Sequence, residues 1–264
     1  MDLTNIVERG RFDLHLHTTA SDGIYSPREL VKKASQAGLI TIAITDHDTL
    51  DGVEEAINAG REFGIDVISS VEITTKYKGK TVDILGYGIK MDAELRNVLT
   101  RMVEERKTRA IRIIEKFTDL GMGITFEDVK KYSKGNVIAR PHIARAIVEK
   151  GYLSNLQEVF DHYLADGKPC DVEKLILSPN KGIDLIQNAK GKAVLAHPKL
   201  IMDDKLVQEL VKLPFDGIEV WHRKHNTEDV KKYRQIAMEN GLIMTGGSDF
   251  HKDEDNLGQF GFEL

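Results

Sequence analysis

Five short segments of the sequence place histidines or carboxylates at the end of a predicted strand. The segments are His15-Leu16-His17, Thr45-Asp46-His47-Asp48, Val71-Glu72, Ala196-His197-Pro198 and Ser248-Asp249-Phe250-His251. In a strand, residues i and i+2 point to the same side, so His15 and His17 can bind one ion together. Imidazoles mixed with carboxylates suit zinc, manganese or iron, and these ligands are too many for one tetrahedral ion. The sequence therefore predicts a cluster of two or three metal ions.

Short apolar runs alternate with helical patterns over most of the chain and must position these side chains. Predicted strands cover residues 12–16, 39–45, 66–71, 81–85, 192–196, 217–221 and 242–245. Strands that alternate with helices indicate βαβ units and a parallel sheet. In a parallel α/β barrel the carboxyl ends of the strands lie on one face, where active sites are found. Residues from both ends of the chain are therefore expected to meet there.

A purely helical pattern interrupts this alternation. Leu95, Leu99, Met102 and Ala110 recur at helical spacings, which indicates a helix with a buried face. We therefore predict a barrel domain, residues 1–91 and 168–264, and a helical insertion, residues 92–167, that forms a substrate lid. Residues 101–150 contain 12 Lys and Arg against 7 Asp and Glu, a local charge of +5. The insertion could bind an anion on this account, but a solvated helical face has the same composition.

The composition excludes several classes of protein. The apolar fraction of 41% and charged fraction of 30% are ordinary for soluble domains, and no run of 18 apolar residues predicts a membrane span. Residues 1–11 lack the apolar stretch of a secretory signal. The single cysteine, Cys170, cannot form an internal disulfide and suits a reducing cytoplasm. We predict a cytoplasmic protein without a membrane partner, and its net charge of −5 gives no reason to expect duplex DNA.

The order and spacing of the motifs resemble those of the PHP (polymerase and histidinol phosphatase) superfamily. The matching segments run from Phe12-Asp13-Leu14-His15-Leu16-His17, through Ser21-Asp22-Gly23 and the strand-end motifs, to Gly247-Ser248-Asp249-Phe250-His251. The resemblance implies an α/β fold, a distorted (β/α)7 barrel that holds up to three divalent ions. At the matching positions it implies one ion on His15, His17, Glu72 and Asp249, a second on Asp22, His47 and His251, and a third on Glu72, His197 and Asp83.

Asp83 is a departure from the wider superfamily, in which many members have histidine at this position. Its strand neighbours Val82 and Ile84 are apolar, so Asp83 points to the opposite side of that strand. A carboxylate buried among carboxylates is costly unless a cation balances it. We therefore expect Asp83 to face the cluster, where it would bind an ion or orient a ligand, with a solvent-facing position on an edge strand as the alternative.

The helical insertion and the Asp83-Ile84-Leu85-Gly86-Tyr87 segment make the chain most similar to PHP phosphoesterases that act on nucleotides. The resemblance implies a metal-dependent phosphomonoesterase that hydrolyses 3′,5′-nucleoside bisphosphates such as pAp. We expect manganese as the metal, with zinc or iron as alternatives, and attack by a hydroxide that the ions activate. His222 is the candidate general acid, and His225 is a further donor or substrate contact. Arg140 and His142 begin a helix in the insertion and are candidate phosphate ligands.

Three other functions remain open at this point. A 5′-to-3′ exoribonuclease would use the same ions on short single-stranded RNA, which a basic lid could hold. A histidinol-phosphate phosphatase is less favoured because of the helical insertion. A non-catalytic PHP module, as in some DNA polymerases, is expected to lack metal ligands, whereas here the ligand set is nearly complete.

Overall fold

The computed structural model describes residues 2–90, 93–133, 138–172 and 176–262. The chain forms two compact units, one of Met1–Val98 with Ile176–Leu264 and one of Leu99–Leu175. The predicted boundary between residues 91 and 92 lies outside the described residues, and the role of residues 92–167 as a lid stays a prediction. No helix in the described part of the chain is long and apolar enough to cross a membrane.

The first unit is built on a seven-stranded sheet whose strands follow chain order. The strands are β1 (Phe12–Leu16), β2 (Thr41–Ile44), β3 (Asp66–Tyr77), β4 (Lys80–Tyr87), β5 (Lys192–Leu195), β6 (Gly217–His222) and β7 (Ile243–Gly247). The backbone of Phe250, after β7, returns to β1: the His17 N–H donates to its carbonyl at 2.9 Å, and its own N–H donates to the His15 carbonyl at 3.2 Å. The sheet is thereby nearly closed, which confirms the predicted α/β barrel.

Strand β4 is the exception to the predicted parallel sheet. It pairs antiparallel with both β3 and β5, whereas the other pairs in the sheet are parallel. Lys78 and Gly79, in the turn between β3 and β4, both have positive φ angles, 47° and 83°. A tight hairpin of this kind reverses the chain direction, so β4 must run against β3. The prediction of a parallel sheet therefore holds for the other pairs of strands and fails at β4, where the sequence Tyr77-Lys78-Gly79-Lys80 is itself typical of a hairpin turn.

Ten α-helices lie within the described residues. They are α1 (Leu3–Arg9), α2 (Pro27–Gln36), α3 (Val53–Phe63), α4 (Ala93–Asp119), α5 (Phe126–Lys130), α6 (Arg140–Glu149), α7 (Leu156–Val159), α8 (Pro179–Asn188), α9 (Asp204–Leu210) and α10 (Thr227–Asn240). Helix α2 starts at a capping box, because the Glu29 N–H donates to Ser26 Oγ and the Ser26 N–H donates to the Glu29 carboxylate. Its buried residues pack against those of α3 and β2 in one apolar cluster. This packing holds the loops at the two ends of β2.

The interior of the barrel is apolar next to the strand ends that carry the histidines. Leu14, Leu85 and Val194, each from a different strand, are fully buried in one cluster with Tyr87. The Tyr87 hydroxyl donates to the Leu14 carbonyl at 2.9 Å. Tight packing of this kind resists displacement, so β1 offers a rigid support for His15 and His17.

The second unit has its own core, which consists of helices and their connections. Phe117 of α4, Val129 of α5 and Ile147 of α6 are buried together, with Leu164 of a short π-helix, Phe160–Leu164. Of the predicted apolar stripe, Ala110 lies in this core, and Leu95, Leu99 and Met102 are also buried, as expected for an amphipathic helix.

Candidate metal centre

The predicted ligands come from the strands and the loops that follow them. His15 lies in β1, with His17 just beyond it and Asp22 in the loop before α2; His47 follows β2, His197 follows β5, and Asp249 and His251 follow β7. Glu72 was expected to end β3, but this strand continues to Tyr77. The hairpin with β4 extends β3 beyond the end of β2, so Glu72 lies within the strand and forms an isolated bridge with His47.

The carboxylate of Glu72 is the centre of the cluster. Its Oε2 atom lies 3.3 Å from His15 Nε2, 3.3 Å from His17 Nε2 and 3.2 Å from His47 Nδ1. Its Oε1 atom lies 3.0 Å from His197 Nε2. Glu72 is fully buried, so one ionised carboxylate is enclosed by four imidazoles. An ionised group in this position requires compensating positive charge.

Two aspartates complete the ring around Glu72. Asp249 Oδ1 lies 3.3 Å from His17 Nε2 and 3.6 Å from His15 Nε2. Asp22 Oδ1 lies 3.3 Å from His251 Nε2, and Asp22 Oδ2 lies 4.0 Å from His47 Nε2. Each of the two aspartates therefore lies beside at least two imidazoles.

Many of these polar atoms have no hydrogen bond although they are buried. They are His15 Nε2, both ring nitrogens of His17, His47 Nδ1 and Glu72 Oε2. A buried polar atom without a partner is expensive, and several in one cluster indicate that a cation completes their coordination. Three sets of donor atoms lie within 4.8 Å of one another: His17 with Asp22, His47 and His251; His15 with His17 and Asp249; and His15 with Glu72 and His197. The donors present thus fit divalent ions.

The electrostatics of the cluster favour ionised carboxylates. Burial opposes ionisation of Glu72, but His47 and His15 outweigh it and hold the pKa of Glu72 well below its usual value. Burial alone would lower the pKa of His197, but its hydrogen bond and charge interaction with Glu72 raise the pKa to about 9. Burial and the neighbouring His251 lower the pKa of His17 to about 4. Without an ion the cluster therefore retains protons that a metal would have to displace.

Asp83 faces the cluster side of β4, as expected, but at its margin. Its Oδ2 atom lies 4.0 Å from His197 Nε2, and its Oδ1 atom is buried without a hydrogen bond. Burial and the charge of Glu72 raise the pKa of Asp83. None of the donor sets found among the described residues includes Asp83. Its role as a ligand stays a prediction.

Glu219, in β6, contacts two of the predicted ligands and was missed by the sequence analysis. It is fully buried, and its Oε1 atom lies 3.0 Å from His15 Nδ1, while Oε2 accepts the His197 backbone N–H at 2.7 Å. This carboxylate orients His15 so that Nε2 faces the cluster, as outer carboxylates do for metal-bound histidines. Its signal in the sequence is a lone acid between the apolar residues Ile218 and Val220, the pattern that singled out Asp83.

Two more buried aspartates hold the loops that carry ligands. Asp13 accepts hydrogen bonds from the Ser248 N–H at 2.9 Å and the Ser248 hydroxyl at 2.6 Å, which fixes the residue before Asp249. Asp46 accepts from the Thr18 N–H at 2.7 Å and the Ser21 hydroxyl at 2.6 Å, which fixes the loop before Asp22. Both aspartates belong to the family-like motifs, but their side chains bind backbone and hydroxyl groups.

His222 and His225 lie close together next to this cluster. The Nδ1 atom of His222 accepts the Lys224 N–H at 3.1 Å, so a neutral His222 ring carries its proton on Nε2, which lies 3.4 Å from Asp249 Oδ2. His225 Nδ1 lies 2.8 Å from the Val220 carbonyl, so Nδ1 is the donor. Burial lowers the pKa of His225 to about 4.

Arg140 and His142 begin α6 in the second unit, as predicted. Arg140 Nη1 donates to the Leu164 carbonyl at 2.9 Å and pairs with Asp166 Oδ1 at 3.0 Å. His142 Nδ1 accepts the Ala139 N–H at 3.2 Å and so caps the helix. Both side chains therefore have partners within their own unit, and their contact with substrate stays a prediction.

Comparisons with known proteins agree with this geometry. The model of the PHP domain family matches residues 13–167. A 5′-3′ exoribonuclease of Haemophilus influenzae is 34% identical over 91% of this chain and 90% of the relative. A 3′,5′-nucleoside bisphosphate phosphatase of Chromobacterium violaceum is 33% identical over 90% of this chain and 86% of the relative. The solved structure of an amidohydrolase from Chromobacterium violaceum, with bound sulfate and no metal, has a TM-score of 0.81 at 31% identity and covers 95% of this chain and 90% of its own.

Proposed function

Because this chain belongs to the PHP domain family and is a metal-dependent phosphoesterase, we propose that its substrate is a 3′,5′-nucleoside bisphosphate such as pAp. The observation that carries the chemistry is Glu72, a buried carboxylate within 3.3 Å of four imidazoles. Three of these, His15, His17 and His47, have buried ring nitrogens without a hydrogen bond. The likeness to a 3′,5′-nucleoside bisphosphate phosphatase supports the choice of substrate. The nearly complete ligand set argues against a non-catalytic module.

The residues of the cluster divide into groups that would hold two or three ions. We assign His15, His17, Glu72 and Asp249 to one ion, Asp22, His47 and His251 to a second, and Glu72, His197 and Asp83 to a third. Divalent ions supply activated water at neutral pH and neutralise the oxygens of a phosphoryl group. We propose manganese, with zinc or iron as alternatives, because imidazole and carboxylate ligands suit all three. Glu72 belongs to two of these groups and would contribute a ligand atom to each.

His222 is the proposed proton donor to the leaving oxygen. Proton transfer from this ring requires its imidazolium form, which then returns to the neutral ring, and Nε2 is the donor atom because Nδ1 faces the Lys224 N–H. The Nε2 atom lies 3.4 Å from Asp249 Oδ2, next to the proposed ligands. His225 is the weaker candidate as a donor, because its Nδ1 is committed to the Val220 carbonyl, and we assign it a substrate contact.

Asp83→Asn tests the third group of ligands. The substitution keeps the shape of the side chain and removes its charge, so we expect weaker binding of one ion while the ion on His15 and His17 remains. Metal content per chain, measured on wild type and variant after dialysis, gives the answer. Unchanged metal content together with unchanged activity would show that Asp83 is not a ligand.

Arg140→Ala tests recognition of the phosphate that is not cleaved. We propose that Arg140 exchanges Asp166 for this phosphate, with His142 beside it at the start of α6. The variant should then lose more activity on pAp than on AMP, by about 1.5–3 kcal/mol in kcat/KM, the range for a hydrogen bond to a charged group. Equal losses on the two nucleotides would assign Arg140 to the cleaved phosphate or to the stability of its own unit.

A 5′-to-3′ exoribonuclease is the second candidate, because the Haemophilus influenzae relative bears that name at 34% identity. Short single-stranded RNA would then be the partner, and no duplex DNA or membrane is proposed. Metal-loaded protein incubated with pAp, AMP, histidinol phosphate and a 5′-phosphorylated oligoribonucleotide separates the two. We expect phosphate release from pAp to be fastest. Nucleotide release from the oligoribonucleotide at a higher kcat/KM would assign the exoribonuclease activity instead.

A further inference from the structure

We propose that Arg223 is a positioning residue of the metal centre, which holds Asp249 and ties it to the loop that carries His251. This inference rests on the proposed metal centre and is independent of the substrate. Arg223 directly follows β6 in the loop before α10. Its side chain is only 19% exposed, whereas Lys224, the next residue in the same loop, is exposed.

The two oxygens of Asp249 have different surroundings. Oδ1 lies 3.3 Å from His17 Nε2 and 3.5 Å from His251 Nδ1, among the imidazoles. Oδ2 accepts a hydrogen bond from Arg223 Nη2 at 3.2 Å and lies 3.4 Å from His222 Nε2, which has no hydrogen bond among the described residues. Arg223 therefore holds one oxygen and leaves the other to face the cluster. This arrangement fits binding of an ion through Oδ1 alone.

Arg223 is itself held on its other side by Asp255. Its Nη1 atom forms an ion pair with Asp255 Oδ1. The second oxygen of Asp255 accepts the backbone N–H groups of His251 at 2.9 Å and Lys252 at 3.1 Å. One guanidinium thus links the carboxylate of one predicted ligand to the backbone of another.

The local backbone explains why such a link is needed. Asp249 has a φ of 52°, in the left-handed region that residues other than glycine seldom adopt. A turn of this kind persists when surrounding contacts determine it. Asp13 fixes the preceding Ser248, whereas Arg223 donates a hydrogen bond to the Asp249 carboxylate itself. Without the guanidinium, Asp249 and Asp255 would also repel each other.

The planar guanidinium suits a bridge between two carboxylates. It presents several donors in a fixed plane, whereas the ammonium of lysine is a single point charge. Arg223→Lys should therefore keep the charge but not both contacts. A direct contact with the substrate phosphate is the competing role, because Arg223 Nε is buried and has no hydrogen bond among the described residues.

The test is a manganese titration of chelator-treated protein without substrate. Arg223→Met should weaken binding of the ion that is assigned to Asp249, His15, His17 and Glu72 by about 10–100-fold, the usual cost of losing an outer partner of a ligand. Asp255→Asn keeps an oxygen for the His251 N–H and removes the charge that holds Arg223, so it should have a similar effect. A variant with both Arg223→Met and Asp255→Asn should lose little more manganese affinity than either single variant, because both changes break the same link. Arg234→Met, an exposed arginine of α10, is the matched control and should bind manganese as wild type does.

Steady-state kinetics separate positioning from substrate contact. A positioning role predicts a lower kcat at saturating manganese with KM little changed, and a partial recovery of kcat in Arg223→Lys.

Unchanged manganese affinity would overturn the proposal, whether KM for the phosphoester rises or stays the same. Additive losses in the double variant would also overturn it, since Arg223 and Asp255 would then act separately. If Arg223→Met does not fold, Arg223→Lys and Asp255→Asn, singly and combined, provide the same comparison of manganese affinities. Failure of pAp as the substrate would leave the manganese titrations unaffected.

Discussion

Asp249→Ala and His15→Ala are each expected to abolish phosphoester hydrolysis and to lower the metal content of the protein. Asp249 Oδ1 and His15 Nε2 lie 3.6 Å apart, and both are also close to His17 or Glu72. Removal of one donor atom lowers the occupancy of the metal ion, and the activation of water that the ion provides is lost with it. The loss should exceed the roughly 10–100-fold that removal of an outer partner costs.

Metal analysis and phosphate release on the same samples check this prediction. Asp184→Ala, which removes an exposed carboxylate of α8, is the matched control and should retain both properties. Thermal unfolding shows whether each variant is folded. Full activity in a folded Asp249→Ala or His15→Ala variant would contradict the ligand assignment.

Glu72→Gln is expected to disturb more than one ion. The two oxygens of Glu72 contact four imidazoles from three segments of the chain, and these imidazoles belong to all three proposed groups of ligands. An amide keeps the shape but presents an NH₂ group to ring nitrogens that should face a cation. Activity should disappear, and the metal content should fall by more than in Asp83→Asn.

Glu54→Gln provides the control for this change of charge. Glu54 is exposed on α3, so its loss should alter neither metal content nor activity. Glu72→Gln and Glu54→Gln should therefore differ in metal content and in activity, although each removes one negative charge. Wild-type metal content in Glu72→Gln would show that Glu72 does not bridge the groups of ligands.

The fold could be predicted from local patterns because most elements begin and end at local signals. β1 has the predicted bounds, and α2 starts at a capping box whose residues, Ser26 and Glu29, are three positions apart in the sequence. The length of β3 could not be predicted, because its second half is held by an antiparallel partner. Pairing with another strand leaves little trace in the apolar pattern of the strand itself.

The site shows the same limit. His15 and His17 stand out because two histidines with strand spacing are unusual, and the other ligands share their place after strands. Glu219 and Arg223 are single charged residues with no spacing partner. Glu219 contacts a histidine 204 positions away, and Arg223 contacts an aspartate 26 positions away. Their roles depend on contacts that only the folded chain creates.

The most direct test of the account is a titration of manganese into chelator-treated wild-type protein, with phosphate release from pAp measured at each step. A metal-dependent phosphoesterase should release negligible phosphate without metal, and its activity should rise with the binding of two or three ions per chain. Calorimetry of the same titration gives the number of ions. Hydrolysis of pAp at full rate by protein shown to be free of metal would contradict the account, and so would metal-loaded protein that cleaves no phosphoester.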